Sequence, residues 1–259
     1  SLIAVCYGFA RFAFGLFLTR IDADLSLSPT LSGLISGGSF LGYCLTIVLA
    51  AFLTERIGPR AVALGAALVA ALGMTGIALA LSPLWLAAAV MLAGASTGLV
   101  SPPLAAAVSA AVQPDRQGAA NTIINAGTGA GVVLSGPVAL AMGGQWRLAF
   151  GLFAAVAFAM ALAAARFVPR SSSAASNSAG GLPSISPSLK RLIVASFLMG
   201  AGSTALWSFG SQLVALRLEW RDTGAGVLWM VTGAAGIAGA AAGTLVARFG
   251  MDLMHRLFL

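Results

Sequence analysis

Arg11 stands midway along an uninterrupted apolar run, residues 2–18, where a charge is out of place. A cation at the centre of a membrane-spanning helix costs at least ~2.5–3.5 kcal/mol on insertion scales, so it generally faces a water-filled cavity or a partner. Gly8 and Gly15 lie three residues before and four after it, on the same helical face. They leave room for a ligand or a closely approaching helix. Two readings are open. Arg11 contacts an anionic group of a solute, or a coupled carboxylate; or it is a structural arginine bonded to backbone carbonyls or extended toward an interface. Few polar residues could share a cavity with it. Asn121 and Asn125 are spaced i, i+4, and Tyr43, Thr97, Trp207 and Gln212 lie in other apolar runs. Each of these can equally serve helix–helix packing or hydrogen bonding.

Other chemistry is sparse. Asp22, Asp24, Glu55, Asp115, Glu219, Asp222 and Asp252 all read as loop or tail residues. A proton relay in a membrane generally uses Asp, Glu or His, so a coupling proton has no evident site within the apolar runs. The one histidine, His255, lies in the terminal tail. Cys6 and Cys44 have no metal or redox spacing and read as small core residues. No catalytic grouping, metal site or cofactor motif is present, and the chain does not read as an enzyme.

Across the whole chain, 59% of the 259 residues are hydrophobic and 8% are charged, against about 25% charged in soluble domains. The mean hydropathy is +0.98. This composition excludes a soluble enzyme, a nucleic-acid-binding domain and a disordered chain. The net charge of +7 comes from scattered basic residues, almost all arginine, with no run longer than Lys190-Arg191. The partners indicated are the lipid bilayer and a small-molecule substrate, not nucleic acid.

Eight apolar runs are long enough to span a bilayer: 2–18, 31–53, 61–81, 84–112, 119–142, 148–168, 192–216 and 224–246. They are continuous rather than alternating, which excludes a transmembrane barrel. The fold class is all-α integral membrane. Trp85, Trp146 and Trp220 sit at run ends and read as interface anchors. One break differs from the others. Residues 168–190 hold eight serines, three prolines and no aromatic residue, a composition that cannot bury a core and reads as a flexible linker. The division is a first six-helix bundle over 1–167, a linker over 168–190 and an incomplete second bundle over 191–259. With the first span running outward, nine basic residues fall on the inner side and four on the outer side. That bias places the N-terminus and the linker in the cytoplasm. The chain opens already apolar at Leu2, and a few residues are expected to precede it.

An internal repeat supports the division. Leu53, Arg56 and Gly58 recur as Leu245, Arg248 and Gly250, each 192 residues later. The eighth run is then a second copy of the second. Six-helix repeats joined by a cytoplasmic linker are a transporter architecture. Gly233, Gly236, Gly239 and Gly243 on the eighth run read as a face for close helix packing.

Ala51, Leu53, Glu55, Arg56, Gly58 and Arg60 match the signature G-x-L-a-D-[RK]-x-G-R-[RK] with three departures, at Ala51, Glu55 and Pro59. With these residues, the linker and the repeat, the chain resembles the major facilitator superfamily over its whole length. Gly94 to Gly98 fits the glycine part of that family's helix-4 motif, with Val90 in place of its arginine. Gly127, Gly131, Gly136 and Pro137 resemble the helix-5 Gly-Pro motif, with Leu140 and Ala141 where further glycines are common. The opening around Arg11 is similar to a bacterial permease subgroup with an arginine in helix 1. The resemblance implies twelve helices in two bundles, so the chain is expected to stop after helix 8. It implies secondary transport of a small solute across the inner or plasma membrane by alternating access, with the turn at Glu55–Arg60 latching the bundles and Gly58 taking a positive φ. A proton is the possible coupling ion. The alternative is a truncated fragment with no transport activity of its own.

Overall fold

The computed structural model describes residues 2–142, 144–168, 186–218 and 222–258. Among them there is no β-strand, and eight helices are long and apolar enough to cross a membrane. They are α1 (Ala4–Leu25), α2 (Pro29–Ile57), α3 (Pro59–Ala78), α4 (Pro83–Ala111), α5 (Pro114–Met142), α6 (Trp146–Phe167), α7 (Pro187–Leu218) and α8 (Asp222–Ala238). A short 3₁₀ turn, Gly239–Ala241, joins α8 to α9 (Ala242–Phe249), and α10 (Met251–Phe258) follows. Most of the linker expected over 168–190, and Trp220, lie outside the described residues.

Proline sets most of the helix starts. Five helices begin at Pro29, Pro59, Pro83, Pro114 and Pro187. A first-turn proline loses nothing, because its missing N–H would have had no intrahelical acceptor. Serine precedes three of these prolines and caps the helix. Ser28, Ser82 and Ser186 Oγ accept from the backbone N–H of Leu31, Trp85 and Leu189 at 3.3, 3.3 and 3.2 Å.

The connections are shorter than the apolar runs suggest. Ser26, at φ +51°, ends α1, and Gly58 alone separates α2 from α3. Asp22 and Asp24 are therefore in the last turn of α1, Glu55 is in the last turn of α2 and Asp115 is in the first turn of α5, instead of in loops. The apolar runs understate helix length because polar residues at helix ends still satisfy their backbone within the helix.

α1 lies at the centre and touches α2 to α8. Within the most apolar stretch of each helix, 72% of α1 is buried but only 6% of α7. α2 and α3 pack on α4, α3 also packs on α6, and α5 packs on α1 and α8. The core beside α1 is aromatic. Phe9 stacks on Phe153 at 4.5 Å, and Phe150 meets Phe153 edge-on at 5.9 Å.

The sequence reading needs two corrections here. Trp146 is only 1% exposed and its Nε1 donates to Asp24 at 2.7 Å, so it is a core residue and not an interface anchor. Cys44 is exposed, whereas Cys6 is buried as expected. Trp85 is exposed, with Nε1 donating to Gly76 O at 2.8 Å.

Candidate functional site

The backbone around Arg11 is unusual. Over Ala4–Phe12 the first helix is widened to a π-helix, and the N–H of Ala13 bonds to the carbonyl of Gly8, five residues back. Wide turns of this kind are frequent at functional sites. Gly8 does not leave space for a ligand. A Cβ there would collide with the backbone of Gly131 on α5, and a Cβ on Gly15 would collide with the backbone of Trp207 on α7. Both glycines let a neighbouring helix approach α1.

Arg11 projects between α1, α2 and α4. Its Cζ lies 4.1 Å from the ring centre of Phe40, 4.6 Å from Tyr43 and 5.4 Å from Phe12. Cation–π contact of this kind offsets part of the cost of removing the guanidinium from water. Nη1 has a long hydrogen bond, 3.5 Å, to Thr97 Oγ1, and Thr97 in turn donates to Gly94 O at 2.6 Å. Nε is buried without a hydrogen-bond partner. No carboxylate among the described residues pairs with Arg11. Beside it is a cleft of about 10 Å³, bordered by Ser36, Ser39, Phe40, Phe12 and Trp207. That is room for about one water.

Trp207 closes this cleft from α7. Its ring stacks on Phe12 at 4.2 Å and 24°, and meets Trp229 of α8 edge-on at 6.3 Å. Toward the C-terminal end of α1, Ser211 Oγ donates to Gly15 O. Gln212 Nε2 donates to Asp22 Oδ2 at 2.8 Å, and Ser32 Oγ donates to Oδ1 at 2.6 Å. The Ser211 and Gln212 contacts join α7 to α1, and the Ser32 contact joins α2 to α1.

Of the seven cavity candidates, Arg11 and Trp207 border the cleft, Tyr43 and Thr97 contact the Arg11 guanidinium, and Gln212 lies further along α7 at Asp22. Asn121 is half-buried and Asn125 exposed on α5, and neither borders the cleft. Ser36, Ser39 and Phe40 were missed by the sequence reading. Their signal was present: Ser32, Ser36, Ser39 and Tyr43 recur at i, i+4, i+7 and i+11 on one face of α2.

The motif residues Ala51, Leu53, Glu55, Arg56, Gly58 and Arg60 occupy the α2–α3 turn. Gly58 has φ 83° and ψ 158° there, and Gly250 at the α9–α10 turn has φ 82° and ψ 155°. That region is essentially restricted to glycine. Each glycine N–H bonds four residues back, to Thr54 O at 3.1 Å and Val246 O at 2.9 Å. The 192-residue repeat is thus a repeat of backbone geometry. Glu55 and Arg56 are exposed, Arg60 is half-buried, and none forms an ion pair among the described residues. In α5, Gly127 and Gly136 are buried and Pro137 is exposed. A Cβ on Gly131 would strike Ala4 and Gly8, and one on Gly136 would meet Met230 and Gly226 of α8. Gly129 faces Gly233 and Gly236 of α8 in the same way, while Gly239 has open space.

The family model for the Major Facilitator Superfamily matches residues 1–259. No curated protein matches the chain.

Proposed function

The chain belongs to the major facilitator superfamily, and on that premise we propose that it carries a small anionic solute across the cell's inner or plasma membrane by alternating access. It is a multi-pass membrane protein of a transporter family. In this reading helices α1–α6 form one rocking unit over 1–167, and the helices after the 168–190 linker belong to the other. The N-terminus and linker are cytoplasmic, as the excess of basic residues on that side argues. Arg11 meets the anionic group. Tyr43, Thr97 and Trp207 border the same site, and the Glu55–Arg60 turn latches the two units on the cytoplasmic side.

The observation that carries the reading is Arg11 itself. It is a guanidinium inside an apolar bundle with no carboxylate partner among the described residues and an unbonded Nε, and it borders a cleft. An uncompensated cation is expensive in a low-dielectric interior unless a counter-charge arrives. The test is uptake of labelled organic anions by proteoliposomes containing the chain. Arg11→Ala should lower uptake at least about ten-fold, the loss expected for one charge-assisted contact. Arg11→Lys should recover part of it, because lysine keeps the charge but not the planar fork. Equal uptake by both variants and the wild type would sink the binding role.

A second reading is favoured by the surface of α7, of which only 6% is buried. A helix so little enclosed does not wall a cavity. These eight helices then bind solute but transport nothing by themselves. Wild-type proteoliposomes that show no uptake, while retaining anion binding, would favour it.

A further inference from the structure

Many hydroxyls inside the bundle bond back to their own helix, and others bond across to a neighbour, as Ser32 does to Asp22 and Ser211 to Gly15 O. Thr46, Thr54 and Thr75 donate to the carbonyl four residues back, and Ser96, Thr97 and Ser135 donate to the one three back. Ser36 and Ser39 do not. Each is only 5% exposed and its Oγ has no hydrogen-bond partner. Both border the cleft beside Arg11, where Nε is also unpartnered. Three unused donors therefore belong to residues that border one small space, in a setting where an unsatisfied buried donor is costly.

The remaining wall is aromatic: Phe40 lies against the guanidinium, and the Phe12–Trp207 stack closes the cleft between α1 and α7. We propose that this cleft, which has room for about one water as it stands, takes an aromatic monocarboxylate once α1 and α7 part, with its carboxylate held by Arg11, Ser36 and Ser39 and its ring by Phe12, Phe40 and Trp207. The proposal rests on the reading of Arg11 given above and adds the chemical class and the two serines. The donor set fits a carboxylate, whose two oxygens accept about four hydrogen bonds. Among the described residues, Arg11 is the one charged side chain that borders the cleft. It balances a monoanion, whereas a dianion such as hydrogenphosphate would leave a net charge in low dielectric. When α1 and α7 part, a flat ring can enter the Phe12–Trp207 stack as its third member, keeping the offset or edge contacts that aromatic rings favour.

The test is a binding titration of the full chain in lipid nanodiscs, read by tryptophan fluorescence, with benzoate, benzamide, acetate and phosphate as probes. Benzoate should bind saturably. Benzamide and acetate should bind at least about ten-fold more weakly, and phosphate should not compete. Ser36→Ala and Ser39→Ala should each weaken benzoate binding about ten-fold, as expected for a hydrogen bond to a charged group, and Arg11→Ala should abolish it. The wild-type ligand series needs no variant to fold. Benzamide binding as tightly as benzoate overturns the carboxylate assignment, and acetate doing so overturns the aromatic one. Unchanged benzoate affinity in both serine variants overturns their role. If some other anion binds in an Arg11-dependent way and benzoate does not bind, this inference fails while the transport reading stands. If no anion responds to Arg11→Ala, both fail.

Discussion

Asp22 ends α1 with its two carboxylate oxygens divided between neighbours, Ser32 on α2 and Gln212 on α7. Read along the sequence it is one more polar residue after an apolar run. In the fold it is a carboxylate that links α1 to α7. A hydrogen bond to a charged group contributes about 1.5–3 kcal/mol, and bonds between membrane helices usually measure lower. A double-mutant cycle on Asp22→Asn and Gln212→Leu, read by unfolding in detergent, should give a coupling of about 1–2 kcal/mol. Additive losses would show that the contact contributes nothing to stability. Arg11 makes the complementary point. Its type and position alone flagged it, because a charge in an apolar run must be explained. Ser36 and Ser39 were passed over because serine is common in membrane helices and usually bonds its own backbone. Only the absence of that bond marks them.

Among the elements, α5 depends most on missing side chains. Gly131 lies against Ala4 and Gly8, and Gly129 lies against Gly233 and Gly236, so α5 closes on α1 and α8 through bare backbone. Without a hydrophobic driving force between helices in lipid, such close contact is a main source of association. Gly131→Ala should destabilise the protein by about 1–3 kcal/mol, the usual cost of overpacking. Gly37→Ala, where a Cβ meets nothing within 4 Å, should be neutral or stabilising by about 0.5–1 kcal/mol through lower chain entropy. Thermal unfolding of the two variants side by side checks the contrast. The α2–α3 turn is the second case. Its shape is held by Gly58, while Glu55 and Arg56 project freely. If the turn latches the two units, Glu55→Ala should cut transport several-fold at unchanged membrane insertion. Normal uptake at matched expression would remove the latch role.

At the scale of the whole molecule the open question is orientation. Leu81 is 86% exposed in the α3–α4 connection, and Asp115 lies exposed at the start of α5, toward the opposite face. In a Cys44→Ala background, a membrane-impermeant maleimide added to intact cells should label Leu81→Cys and spare Asp115→Cys. The reverse pattern would invert the proposed topology.

The membrane setting, the eight spans and the repeat at Gly58 and Gly250 were all legible in the chain. Each rests on local chemistry: apolar length, the proline that starts a helix and the glycine that alone tolerates the turn. Loop boundaries were less legible, because polar helix ends look like loops to a hydropathy reading. Which of the candidate residues meet Arg11 was not legible. Arg11, Tyr43, Thr97 and Trp207 are dispersed over nearly two hundred residues, and Asn121 and Asn125 looked as suitable. Helix rotation and close approach at glycines decided between them. Those depend on how backbones pack against each other, a property of pairs of helices that no single run carries.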